Sequence, residues 1–410
     1  MAAKQTTAPH EITTMWNKNF IIVMITTTLM TFGHFTINPF IASYTKYLGT
    51  TDQLTGFLAG MFFGVAFAFR PVSGPLITRL DKRILLMLTL LCGSVASLGY
   101  ALFENVAAFA FFRFLHGLEY SFLGTLVMTL ASDNLPIEKM ASGMGIYTIG
   151  SAVGMSVSPL IGEALIKLGT GIRDEGMGFT VLFLFSSAVL ALAIIPVSFL
   201  YIEKKTKKEL AGIGAWYKNI IAINALPLAA VILLIQTAYS LYNIYMIEFG
   251  KEQGIANITV FYTVLAITLA ISRPLSGMLT DGFGVKKVII PGMVVFMLSF
   301  LVVGSGAALW MVLIGAVLAA IGFGSSQPPI IAMSMKSVHP LKRAVASNTV
   351  YMGIDLGLFF GPLYGGFIVD RFNYSTLYKT AIAPVVLGLV LFALFLPSYK
   401  RRLIELERER

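Results

Sequence analysis

The stretch Arg70-Pro71-Val72-Ser73-Gly74 closes an apolar run, and 203 positions later the chain writes it again as Arg273-Pro274-Leu275-Ser276-Gly277. A second match keeps the same offset: Gly154-Met-Ser-Val-Ser158-Pro159-Leu-Ile-Gly162 aligns with Gly357-Leu-Phe-Phe-Gly361-Pro362-Leu-Tyr-Gly365. A third pairs Trp16-x-Lys18-Asn19 with Trp216-x-Lys218-Asn219, offset by 200. Gly, Pro and Ser recur in membrane helices for packing reasons alone. Shared Arg and Trp at a common spacing require more than that, and they point to one helical unit written twice.

The composition says where such units reside. Of 410 residues 57% are apolar and 12% charged, with mean hydropathy +0.81, which excludes an ordinary soluble domain. Disorder, collagen and a disulfide scaffold are excluded too, since Cys92 is the only cysteine. A spanning helix takes ~20 apolar residues, so twelve would use about 240 positions and leave the rest for loops and tails. Apolar runs extend over Asn19 to Tyr44, Leu54 to Thr78, Ile84 to Phe103, Val106 to Ala131, Ala141 to Lys167 and Gly178 to Tyr201. Six more extend over Trp216 to Glu248, Thr259 to Thr280, Val288 to Ala307, Leu309 to Met333, Ala344 to Val369 and Leu377 to Leu396. The expected fold is an all-α integral membrane protein of twelve helices in two pseudo-symmetric six-helix bundles. Residues 1–202 form the first bundle, 203–215 a lysine-rich cytoplasmic linker, and 216–410 the second bundle with its basic tail. The first run follows a polar tail and exceeds a secretory apolar segment, so it reads as a retained helix.

If the N-terminus is cytosolic, 21 Lys and Arg fall on inside segments and six on outside segments. This asymmetry predicts a multi-pass protein of the cell membrane with both termini cytoplasmic. It also explains the net charge of +10 by anionic lipid headgroups rather than by nucleic acid.

These residues resemble the major facilitator superfamily over essentially the whole chain. The loop signature Gly-x-x-x-Asp-Arg-x-Gly-Arg-Lys is partly kept after span two, where Gly74 and Arg79 match while Thr78 and Asp81 depart from it. After span eight Gly277, Asp281, Gly284 and Lys286 match, and Gly282 replaces the arginine. Span five is similar to the family's antiporter motif at Gly145, Gly154, Pro159 and Gly162, with Ser158 and Glu163 departing, and span eleven carries Gly361-Pro362-x-x-Gly365-Gly366 intact. With Arg-Pro-x-Ser-Gly and Asp355-x-Gly357 these elements look like the sugar or drug efflux permease branch. The resemblance implies a substrate cavity lined by spans one, four, seven and ten. Glycines and prolines of spans five and eleven (Gly154, Pro159, Gly162, Gly357, Gly361, Pro362, Gly365) read either as surfaces on which the halves rock or as tight packing alone.

The remaining three basic residues, Arg70, Arg113 and Arg273, lie inside apolar runs with Glu119 and Asp355. Each is unfavourable in hydrocarbon by ~3 kcal/mol or more unless paired or hydrated. Asp355 falls roughly 15 Å into its helix, a depth suited to a proton-carrying carboxylate. The alternative is a fixed ion pair of Asp355 with Arg273 or Arg70. In span four Arg113, His116, Gly117, Tyr120 and Gly124 share one face. Arg113 is the candidate for an anionic substrate group, and Glu119 with His116 a candidate protonation site. Glu119 points about 120° away from Arg113, so those two are not expected to pair. Hydrogen-bonding stripes on span one (Thr27, Thr31, His34, Asn38) and span seven (Gln236, Tyr239, Ser240, Asn243) complete the expected cavity. Span ten adds Gln327 with Pro328 and Pro329, which should interrupt its helical ladder.

No phosphate-binding loop supports direct ATP drive, and four histidines with one cysteine predict no metal cluster. No cofactor is expected beyond a proton gradient, and no catalytic residues. The function expected is that of a monomeric carrier, alternating-access movement of a small organic solute by proton-coupled antiport (efflux). Proton symport or organic-anion exchange is the alternative, and a non-transporting receptor or scaffold the rival from another class.

Overall fold

The structure is a computed structural model that describes residues 14–136, 140–202, 221–338 and 343–408. No strand occurs among these residues. Among the described residues ten helices are long and apolar enough to cross a membrane. Val106–Asp133 and Met140–Ile172, of 28 and 33 residues, bring the number of spans to twelve. Span one runs from Lys18 to Tyr47 with a 3-10 turn at Asn38–Phe40. Spans two to six are Asp52–Arg79, Lys82–Leu102, Val106–Asp133, Met140–Ile172 and Glu175–Ser198. In the second half they are Ile223–Glu252, Val260–Phe283, Val285–Gly304, Leu309–Lys336, Arg343–Arg371 and Tyr374–Arg408. The proposed linker and Trp216 lie outside the described residues.

Side-chain oxygens start many of these helices by accepting main-chain N–H groups that would otherwise lack partners. Asn17, Thr51, Asn105, Asp174 and Asn373 cap spans one, two, four, six and twelve. Outside the spans proper, the Met177 N–H and Arg173 hold the Asp174 carboxyl below the ordinary range. Asp81, a departure from the loop signature, caps span three through the N–H groups of Arg83 and Ile84. The equivalent position in the second half is Gly284, whose φ of +83° suits glycine. Thus the two halves enter their third helix by different turns, Asp81 with φ −64° and a side-chain cap, Gly284 with positive φ and none.

Packing repeats with the sequence. Span one packs on five and six and span two on four; seven packs on eleven and twelve, and eight on ten. Between halves, span two meets eleven and span five meets eight, a pair of contacts exchanged by the repeat. Leu88, Leu91 and Val95 of span three, and Leu387, Val390 and Leu394 of span twelve, stay exposed on outward faces, as lipid-facing helix stripes should.

Prolines do not end the helices. Span ten continues through Pro328 and Pro329 as one helix, although neither proline has an N–H to give the ladder. The freed carbonyls lie in a bundle where neighbouring groups can satisfy them. The break occurs in span one instead, at Asn38-Pro39-Phe40.

Candidate functional site

The seam between halves is built first by span two. Gly56, Gly60 and Gly64 recur every fourth residue, and a Cβ on Gly60 would stand 2.6 Å from the Phe359 carbonyl oxygen and 3.0 Å from Leu363. Gly56 lies equally close to Pro362, and Gly366 to the main chain of Asp52. By contrast, Gly154 and Gly162 pack on Thr31 and Phe40 of span one, and Gly357 and Gly361 on span seven. Gly365 abuts the Tyr245 ring, while the Pro362 carbonyl accepts a bond from Tyr245 Oη at 2.8 Å. These motif residues therefore bind helices within each half. The glycine ladder of span two, not singled out from sequence, supplies the smooth face across the seam.

Arg70 and Asp355 bridge that seam. Arg70 Nη2 donates to Asp355 Oδ1 at 3.0 Å, Nε donates to Oδ2, and Nη1 donates to Thr125 Oγ1 at 3.2 Å. Both side chains are buried. The other expected partner, Arg273, is exposed and in no ion pair among the described residues. The repeat explains the difference, because the position equivalent to Asp355 in the first half is Ala152.

At the end of the bundle away from the chain termini, further contacts join the halves. Ser43 Oγ donates to Glu248, Lys251 Nζ donates to Ser43 Oγ at 3.2 Å, and Lys46 Nζ donates to Tyr374 Oη at 2.6 Å. Thr259 Oγ1 donates to Glu163, which also pairs with Lys167 at 2.6 Å. Glu163, where the antiporter motif has glycine, thus ties span five to span eight. A cleft of about 610 Å³ lies here, lined by Phe40, Ser43, Glu163, Lys251 and Thr259. At the opposite end Tyr351 Oη donates to Met128 Sδ across the seam at 4.0 Å. The halves are consequently pinned at the end away from the termini.

The polar face of span four is turned into the first half. Arg113 is wholly buried, donating to the carbonyls of Leu58 at 3.3 Å and Ala59 at 3.0 Å, with its guanidinium 4.7 Å from the Phe62 ring centre. It fastens spans two and four, while its Nη1 is buried without a hydrogen-bond partner. Glu119 Oε2 meets His34 Nε2 at 3.1 Å rather than His116, and His116 Nδ1 meets Tyr100 Oη at 3.2 Å. Sequence spacing placed Glu119 nearest His116; the contact with span one needed the third dimension. Tyr120 is half-buried and Gly124 has open space beside it.

In the second half, Gln327 Nε2 donates to Gln236 Oε1 at 3.2 Å, linking spans ten and seven, and Tyr239 stacks on Phe323 at 3.9 Å. The Asn243 carbonyl accepts from Tyr262. Thr31 packs on Gly154, and Asn38 sits at the break in span one. Arg79 is exposed and Gly277 faces open space, whereas the surroundings of Gly74 and the Asp281 side chain lie outside the described residues.

Two repeated helical bundles joined by a polar, glycine-lined seam define a membrane-spanning secondary transporter rather than an enzyme. The family model of the Major Facilitator Superfamily matches residues 23–267 and 228–409. The chain belongs to that superfamily. It is 23% identical over 395 residues to the multidrug resistance protein MdtG of Salmonella heidelberg, covering 94% of this chain and 96% of that protein. To an uncharacterized MFS-type transporter of Methanocaldococcus jannaschii it is 22% identical, with 91% and 97% covered. Among solved structures, an inward-facing, unoccupied bacterial homolog of the human lysosomal transporter Spinster superposes with TM-score 0.74 at 16% identity, covering 96% of this chain and 98% of that one. The nucleoside transporter NupG gives 0.75 at 14% identity, with 92% and 100% covered.

Proposed function

We propose that this transporter exports a small organic solute by proton antiport, the two bundles rocking so that the solute meets one side of the membrane at a time. The observation that carries the reading is the buried Arg70–Asp355 pair crossing the seam that must move. Protonation of Asp355 would cancel one charge of the pair, loosen the seam and bias the halves toward the other conformation, so a proton and a solute would favour opposite states. The distant likeness to a multidrug resistance protein supports efflux of amphipathic compounds. With both termini cytoplasmic, as the basic segments suggest, the pinned end would be external and the arrangement inward-facing. The carrier would act as a monomer among anionic lipids, with the proton gradient in place of a cofactor.

Organic-anion exchange is the second reading, favoured by exposed Arg273 without an acidic counterpart in the repeat. Proteoliposomes under an imposed pH gradient discriminate. Antiport gives saturable solute movement that follows ΔpH and is lost in Asp355→Asn with the protein still in the membrane. Movement indifferent to ΔpH but dependent on a trans anion supports exchange instead.

A further inference from the structure

We propose that His34, His116 and Glu119 form a binding site for one divalent transition-metal ion of the Zn2+ class inside the first bundle. Span one supplies His34; span four supplies His116 and Glu119, three residues apart and so on neighbouring faces of one turn. One ligand atom from each can be chosen so that all lie within 4.8 Å of one another, and all three residues are buried. Both histidines already have an outer partner of the kind that fixes a metal-ligand tautomer. His34 Nδ1 meets the Met30 carbonyl oxygen at 2.7 Å, which requires its proton there and, in the neutral ring, leaves Nε2 as a lone pair. That lone pair faces Glu119 Oε2 at 3.1 Å, an arrangement that needs a cation between them. A proton satisfies this one line and no more. His116 Nε2 and Glu119 Oε1 are buried without a hydrogen-bond partner, and a metal ion would use these as well. With His116 Nδ1–H donated to the Tyr100 oxygen, its Nε2 presents the third lone pair.

The donor set of two imidazoles and a carboxylate suits Zn2+ or Co2+ and leaves a coordination position open. Gly93 makes the room, since a Cβ there would stand 3.0 Å from the Glu119 carboxyl. Metal–nitrogen bonds of about 2.0–2.1 Å require His116 to swing inward from its present position. Arg113 acts electrostatically on both histidines and weakens the hold on a cation without removing the donor geometry. A bound ion would clamp spans one and four, both cavity-lining helices in the proposed transport cycle.

The test uses the purified full-length protein in detergent, stripped with a chelator and titrated with Co2+, read by visible absorption and by metal analysis after gel filtration, with Zn2+ as competitor. The expected result is about one ion per chain. His116→Ala and Glu119→Gln should lose it, and Tyr100→Phe should weaken it about tenfold through loss of the outer partner. The double variant His10→Ala/His339→Ala leaves the cluster untouched and should keep the ion. Wild-type protein that remains metal-free at micromolar Co2+, loss of the ion in that double variant, or retention in monodisperse His116→Ala protein would each overturn the proposal.

Discussion

The span-two glycine ladder makes a quantitative test of the seam. In Gly60→Ala the new Cβ would meet the Phe359 carbonyl oxygen at 2.6 Å and Leu363 at 3.0 Å. The carbonyl belongs to helix backbone and cannot rotate away, so the closed seam must part slightly. Overpacking of this kind costs about 1–3 kcal/mol. If the strain acts on the closed arrangement alone, the ratio of closed to open molecules falls roughly 5- to 150-fold. Gly124→Ala is the matched control, because nothing lies within 4 Å of that position. Ile247 is buried at 5% exposure and lines the cleft at the pinned end. A cysteine placed there in a Cys92→Ala chain reports opening through its rate of reaction with a membrane-impermeant maleimide. Gly60→Ala should accelerate labelling and Gly124→Ala should leave it unchanged. Equal rates in parent and Gly60→Ala, or equal acceleration by both variants, would refute the assignment of the closed seam to this ladder.

Asp355→Asn leaves Arg70 buried without its counter-charge, which costs about 3–5 kcal/mol; thermal unfolding should drop accordingly, and adding Arg70→Gln should restore much of the stability but not proton coupling. Arg113→Ala removes two carbonyl bonds and the stack on Phe62, so uptake assays should show neutral and acidic solutes impaired alike; selective loss of acids would place Arg113 in the binding site after all. Arg273→Ala, at an exposed position, should change stability by no more than about 0.5 kcal/mol while reducing transport of anionic solutes; unchanged anion transport would exclude Arg273 from recognition.

Much of the fold was legible because lipid demands it. A chain that must satisfy its backbone within the bilayer writes long apolar helices, and ten of the twelve runs expected from composition differ from the observed helices by modest end shifts. The exceptions are span seven, whose described helix begins at Ile223 instead of Trp216, and span twelve, which continues to Arg408 instead of ending at Leu396. Partners between helices were harder to read. Asp355 had two candidate arginines at equivalent repeat positions, and nothing local distinguishes Arg70 from Arg273; the pairing depends on span two crossing span eleven. The Gly-Pro motifs drew attention to spans five and eleven, yet Gly56-x-x-x-Gly60-x-x-x-Gly64 was equally visible and faces the seam. Likewise, counting histidines along the chain gave no cluster, whereas folding brings His34 to within 5.0 Å of His116, ring centre to ring centre. Helix periodicity reveals which residues share a face, and it carries no information on which distant face lies opposite.

Spin-label pairs across both ends of the seam measure the rocking of the halves most directly. In a Cys92→Ala chain, Thr170→Cys with Asn257→Cys spans the pinned end, and Leu80→Cys with Lys286→Cys spans the other. When pH or solute shifts the population in proteoliposomes, the first distance should lengthen as the second shortens. Distances that change in the same direction, or do not change in a chain that still transports, would contradict alternating access by two rigid halves.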